Sequence, residues 1–188
     1  AGSLVAVADG LGNVTSYAYD ALNRRIAETD PLGNSRQYEY DALDNLIGMT
    51  DTNGIVTHYE YDALKRVIAI VRNYRPGVQP DAQTNVRVSH AHDAAGNRIA
   101  VTDANGHTTA YQYDNLNRLI QKTDPLNHNW SFAYDALGNR ISTTDANGLT
   151  TLYSYDSTRQ MTGIDYPAPE TDVTFTYSLT GQRASMTD

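Results

Sequence analysis

The sequence predicts an all-β protein: about eight 21-residue β-hairpin repeats forming one long twisted, spiralling antiparallel sheet. Three observations predict it. A Tyr-x-Tyr-Asp motif returns at near-constant spacing, residues alternate at period two within it, and Asp/Pro/Gly/Asn clusters separate the copies. Composition agrees, since the chain holds 14 Tyr but only two Phe and one Trp. A core assembled without constraint would draw more on Phe, because each buried Tyr hydroxyl needs a partner. Tyrosine is therefore specified at particular positions.

The copies run Tyr17-Ala18-Tyr19-Asp20, Tyr38-Glu39-Tyr40-Asp41 and Tyr59-Glu60-Tyr61-Asp62, then the variant His90-Ala91-His92-Asp93. Tyr111-Gln112-Tyr113-Asp114, Phe132-Ala133-Tyr134-Asp135, Tyr153-Ser154-Tyr155-Asp156 and the degenerate Phe175-Thr176-Tyr177-Ser178 follow. Their first residues are separated by 21, 21, 31, 21, 21, 21 and 22, and 12 of the 14 tyrosines fall inside them. Six residues beyond each motif Asp stands Ile26, Ile47, Ile68, Ile99, Ile120 or Ile141, the column failing only at Thr162 and Ala184. Two residues beyond it stands Leu22, Leu43, Leu64, Leu116 or Leu137, with Ala95 in the variant copy.

Each unit reads as a hairpin. In the first strand Thr15, Tyr17 and Tyr19 share one face and Ser16 and Ala18 the other, an alternation of β-branched and aromatic residues. Residues 25–29 read as the second strand, with Ile26 facing opposite to its neighbours. The D-A-L-x-R segment between them is short enough for a hairpin loop. Segments such as Asp30-Pro31-Leu32-Gly33-Asn34 and Asp103-Ala104-Asn105-Gly106 join one hairpin to the next. There Pro fixes φ, Asp bonds its own backbone, and Gly or Asn takes the positive-φ position. About 16 strands at ~4.8 Å would extend about 75 Å, and a ribbon that long should coil. The Tyr columns are expected to stack as ladders, ring on ring, and the Tyr and Ile columns to bury against the next hairpin. The whole chain, 1–188, reads as one array segment with a longer connection at about 71–87. Neither end resembles a polar capping repeat, which is the expectation for a piece of a larger repeat protein whose open edges associate edge to edge.

Charge and composition exclude several classes. Twenty-two acidic against 14 basic residues give a net charge of −8, the wrong sign for a nucleic-acid partner. With no cysteine, disulfides and Cys-ligated zinc are excluded. No apolar run approaches the ~18–20 residues of a membrane helix, and no targeting signal is visible in this segment.

The motif Y-x-Y-D-x-L-x-R-L/I with D-x-x-G-x-x-T turns resembles the RHS/YD-repeat family. The closest copies are Tyr111-Gln112-Tyr113-Asp114-Asn115-Leu116-Asn117-Arg118-Leu119-Ile120 and Asp103-Ala104-Asn105-Gly106-His107-Thr108-Thr109. The resemblance runs from about Asp9 to Asp188. It implies a spiralling β-sheet that wraps into a hollow shell. In bacterial Rhs effectors and insecticidal toxin complexes that shell encloses a C-terminal toxin; in teneurins it supports cell–cell contact. By resemblance the chain is a structural scaffold of a secreted or cell-surface bacterial effector, its partners the rest of the shell and the enclosed cargo. The alternative is an adhesion or carbohydrate-binding module using tyrosine-lined faces. The self-cleaving core and toxin domain of such proteins are not visible here; Asp30-Pro31-Leu32-Gly33 sits in an ordinary turn position.

No catalytic, cofactor or metal site is expected. The Asp residues Asp20, Asp41, Asp62, Asp114, Asp135 and Asp156 are periodic, as structural turn residues are, and no pair breaks the period. His90 and His92 share a strand face without a third ligand nearby, and the D-x-N-G turns lack the distant Glu of a calcium loop. The residues singled out are therefore structural: Tyr17, Tyr19, Tyr38, Tyr40, Tyr59, Tyr61, Tyr111, Tyr113, Tyr134, Tyr153 and Tyr155, with the Asp and Ile columns. The one real interruption is 71–87, ten residues longer than the standard connection, with Tyr74, Arg75, Pro76 and Pro80. It reads either as a contact surface or as an insertion tolerated at a hairpin tip.

Overall fold

The computed structural model describes residues 4–178 and 180–188, in which 17 strands and no helix occur. The chain divides into two units: residues up to Ala91 together with Thr102–Gly106, and His92–Val101 together with His107–Asp188. In the first, β1 (Ala6–Ala8), β2 (Val14–Tyr19), β3 (Arg25–Thr29), β4 (Ser35–Tyr40), β5 (Leu46–Thr50), β6 (Val56–Tyr61), β7 (Val67–Arg72) and β8 (Val86–His92) follow in order. Each pairs antiparallel with the next. The second carries β9 (Arg98–Thr102), β10 (Thr108–Tyr113), β11 (Leu119–Thr123), β12 (Asn129–Tyr134) and β13 (Arg140–Thr144). It continues with β14 (Thr150–Tyr155), β15 (Met161–Asp165), β16 (Val173–Tyr177) and β17 (Arg183–Thr187). From β10 to β17 consecutive strands again pair antiparallel.

Both kinds of turn use one construction. At the hairpin loop the Asp20 N–H donates to the Arg24 carbonyl and the Asn23 N–H to the Asp20 carbonyl, both at 3.0 Å. At the joining turn the Asp30 N–H donates to Asn34 and the Gly33 N–H to Asp30, at 2.9 and 3.0 Å. Each loop is three residues closed by a left-handed residue, a geometry that suits the strand twist. That left-handed position is Gly33 (φ 84°) or Asn23 (φ 64°), but Lys65 (φ 61°) and Arg159 (φ 67°) occupy it too. A left-handed L-residue costs about 1–2 kcal/mol, offset in part by glycine's greater unfolded-state entropy. Arg159→Gly is therefore expected to stabilise the chain by about 0.5–1 kcal/mol. A lowered urea midpoint would show that Arg159 makes a compensating contact.

The Ile column has a different place from the one expected of it. Ala18 pairs with Ala27 but Tyr19 with Arg25, so Ile26 is an extra residue opposite no partner. The same shift isolates Ile47, Ile68, Ile120 and Ile141. Every such hairpin thus carries a β-bulge at the second tyrosine, which raises local twist. The bulged side chains are not a core: Ile26 and Ile141 are 37% and 38% exposed, and Ile47, Ile68 and Ile120 are only half-buried.

The tyrosine face is the half-buried one. In β2, β10, β12 and β14 every second residue is half-buried, among them Tyr17, Tyr111, Phe132 and Tyr153, and the intervening ones are exposed. In β6 all six residues are at least half-buried. Next to it, on β7, Ala69 (0% exposed) and Val71 (5%) form the buried apolar core of the described residues. Register puts Ala69 opposite Glu60 and Val71 opposite His58, on the face away from Tyr59 and Tyr61. There the 73–85 insertion lies.

Candidate functional site

Two constructions stand out: the joint repeated between hairpins, and a pocket built by the insertion.

The joint begins with the second tyrosine of each motif. The Tyr61 hydroxyl donates to the Leu46 carbonyl at 2.8 Å, reaching back 15 residues to the preceding hairpin. Tyr19, Tyr40, Tyr113, Tyr134 and Tyr155 reach back equally far, to Leu4, Arg25, Arg98, Leu119 and Arg140, at 2.9–3.2 Å. Tyr177 does so to Met161 at 2.7 Å. Desolvation pushes the Tyr61 and Tyr155 phenols above their ordinary range. Losing one such bond should cost about 1 kcal/mol, so Tyr61→Phe is expected to lower stability by that amount in urea titration. An unchanged midpoint would show that the hydroxyl holds nothing.

Ring-on-ring ladders are not what the tyrosines form. Among the described residues the stacked ring pair is His58 on Tyr74, centroids 4.5 Å apart. Arginine stands between the columns instead: the Arg25 guanidinium lies 5.7 Å from the Tyr17 ring and 5.0 Å from the Tyr38 ring. Arg140 lies 5.1 Å from Tyr153, Arg24 4.9 Å from Tyr40 and Arg118 4.7 Å from Tyr134. A cation over an aromatic face is attracted by the ring quadrupole. Successive hairpins lie two strands apart, too far for direct ring stacking, and the intervening strand supplies the arginine.

The motif aspartates organise the loops. Asp20 accepts the Leu22 and Arg24 N–H groups on Oδ1 at 2.9 Å and the Arg24 guanidinium on Oδ2 at 2.7 Å. Asp62 and Asp114 hold Arg66 and Arg118 in the same way; Asp41, Asp93 and Asp135 hold Asn45, Asn97 and Asn139. Asp156 accepts the Thr158 hydroxyl and the Gln160 N–H. Arg24 also donates to the Asp41 carbonyl and to Asp44 Oδ1, at 2.9 and 2.8 Å, tying its loop to the next one. Arg118 reaches the Asp135 carbonyl at 3.0 Å. This clamp was missed in the sequence, where its signal is the Arg or Asn four residues after every motif Asp but Asp156, which has Gln160 there. The Leu column sits on the loop tips, Leu22, Leu43 and Leu64 being 67%, 62% and 68% exposed. His90 and His92 lie on β8, and the described residues contain no cluster of three or more metal-ligating side chains.

The insertion is a built structure. Asn85, only 9% exposed, accepts the Arg75 N–H on Oδ1 at 2.7 Å. Its amide donates to the Arg75 and Val78 carbonyls at 3.1 and 2.7 Å. The Asn73 amide donates to Gln83, and Asp81 accepts the Gln83 and Thr84 N–H groups. The Tyr74 N–H donates to the Val56 carbonyl at 2.9 Å, so the loop starts as an extension of the β6–β7 ladder. Arg87 on β8 grips the Glu60 carboxylate with both terminal nitrogens, and that contact holds Glu60 below the usual carboxylate range. Between this loop and the 103–106 turn, within the first unit, lies a cavity of about 440 Å³. Val71, Tyr74, Pro80, Ser89, Ala104 and Gly106 are among its lining residues.

The RHS Repeat family model matches residues 1–35, 23–55, 40–74, 92–128 and 134–171, well over half of the chain. The chain belongs to the RHS repeat family. Residues 75–91, which hold most of the insertion, fall between two of these matches. No curated protein matches it by sequence. Among solved structures it is similar to the crystal structure of TcdB2-TccC3-TEV, with a TM-score of 0.72 and 19% identity over 97% of this chain and 11% of that one. TcdB2-TccC3 without its hypervariable C-terminal region aligns at 0.57 and 18% identity, over 93% and 11%. The Photorhabdus luminescens Tc holotoxin pore aligns at 0.48 and 14% identity, over 93% and 14%. The shared property is the fold: consecutive antiparallel hairpins in an all-β repeat. This chain spans 11% of the length of the TcdB2-TccC3 chains.

Proposed function

We propose that this chain is a stretch of wall in a larger RHS shell, one that encloses a C-terminal toxin cargo in a secreted bacterial effector. One observation carries the reading. Two sets of polar groups that recur with the repeat are turned onto the array itself: the second-tyrosine hydroxyls onto the preceding hairpin, the aspartates onto their own loops. A surface evolved to grip glycans through tyrosine would present those hydroxyls to the ligand. Lateral clamps every 21 residues suit a barrier, because they tie each hairpin to the next along the sheet. Residues 1–188 then act as one array segment, with the 71–87 insertion as its local addition.

The test is limited proteolysis of the full-length parent chain with antibodies to its C-terminal region. That region is expected to resist protease in the native protein and to be digested once the repeats are denatured. Equal digestion in both states would overturn enclosure. A glycan array probed with this chain separates the second reading, adhesion, which gains only if saturable binding appears and is lost on Tyr17→Ala and Tyr38→Ala.

A further inference from the structure

The repeat accounts for the turns, the tyrosines and the arginines, but not for the cavity beside the insertion. We propose that the 73–85 insertion builds a binding site for one small, neutral, apolar molecule, independent of any shell role.

Three features point to that ligand. The cavity, about 440 Å³, lies within the ~300–1,000 Å³ of pockets that take small molecules, and it exceeds what one side chain would fill. Its walls include Val71, Tyr74 and Pro80, with Ala104 and Gly106 contributed by the neighbouring turn. The charged and amide groups that line it are already engaged within the chain. Arg87 is held by Glu60, the Asn85 amide is used by Arg75 and Val78, and Asp103 Oδ1 accepts the Asn105 N–H at 2.9 Å. An anionic ligand would give up water with Arg87 already paired to Glu60, and the apolar walls favour a neutral guest. The Ser89 hydroxyl supplies a polar contact that can orient the guest.

The site is also preformed. Asn85 cross-links the loop through the chain's own groups, and Tyr74 is fixed by its stack on His58. Little ordering cost then opposes binding. The larger cavity at 156–181, about 580 Å³, differs in kind, being lined by Thr158, Thr176, Ser178 and Thr180 hydroxyls.

The repeat supplies its own control. Asp145-Ala146-Asn147-Gly148 has the same sequence as Asp103-Ala104-Asn105-Gly106 but lines no part of this cavity. The experiment titrates the neutral fluorescent probe N-phenyl-1-naphthylamine into the full chain. Saturable 1:1 binding is expected, weakened at least tenfold by Ala104→Trp, which puts a bulky side chain on the cavity wall, and unchanged by Ala146→Trp. Circular dichroism melts of both variants should match the parent. Should Ala104→Trp disturb the fold, Pro80→Asp on the opposite wall is expected to give the same loss. No saturable binding up to the probe's solubility limit would overturn the proposal. So would binding that survives both cavity variants, or binding seen only with an apolar peptide.

Discussion

Below about pH 4 the array is expected to lose its β-sheet signal steeply, while between pH 7 and pH 5 its stability stays flat. Eleven aspartates, ten of them closing repeat turns and one (Asp81) in the insertion, are held below their ordinary value of 3.8. At Asp9, Asp30 and Asp41 the main cause is the side-chain amide of the asparagine four residues on, followed by that residue's backbone N–H. At Asp20 and Asp62 the backbone N–H of Arg24 or Arg66 leads, with the guanidinium adding to it. A carboxyl whose folded pKa is depressed contributes stability that is present above the unfolded value, about 3.9. That contribution is lost as pH falls through the folded value. Each group contributes little alone; the effect comes from repetition at most of the repeat turns. Urea midpoints at pH 7, 5, 4, 3 and 2 measure it. Because many of the donors are neutral amides, the fall should persist in 0.5 M salt, which screens exposed ion pairs. A midpoint unchanged down to pH 2 would show that the carboxylates do not hold the turns.

Asn85→Ala is expected to melt the insertion and cost about 3 kcal/mol locally, leaving the other hairpins folded. It removes three hydrogen bonds at once, stranding the Arg75 N–H and the Arg75 and Val78 carbonyls. It also places a Cβ-bearing residue without local hydrogen bonding at φ 55°. Hydrogen exchange resolves the outcome: amides of residues 73–85 should exchange faster, while those of β2–β5 and β10–β15 keep their protection. Asn85→Gly, which relieves the φ strain but not the lost bonds, should fall between the two. If Asn85→Ala leaves the insertion protected, the loop is held by something other than that amide.

Much of this protein could be read from residues close together in sequence. Strand period and the Asp-centred turns involve neighbours within five positions, and there the expected hairpins and the observed ones coincide. The tyrosine face was legible too, because Tyr17 and Tyr19 share a face in any strand. Less legible was what those tyrosines touch. Ring stacking was the natural expectation from a periodic column, yet Arg25 stands between Tyr17 and Tyr38, on the strand that separates them. The Ile column looked like a core because it was regular. Its regularity comes from a bulge, and a one-residue shift in pairing cannot be seen in one strand's sequence.

The insertion marks the boundary most clearly. Sequence alone determined that 71–87 interrupts the period and carries Tyr, Arg and Pro. Only the tertiary structure decided that it folds onto the face away from Tyr59 and Tyr61. The same holds for Asn85 as its cross-link, and for the wall that 103–106 adds to the cavity. The physical reason is range. Turns and strand faces follow from torsions and side-chain alternation over a few residues. Which side chains meet across 10 to 30 residues of chain is set by register, bulge and loop path together.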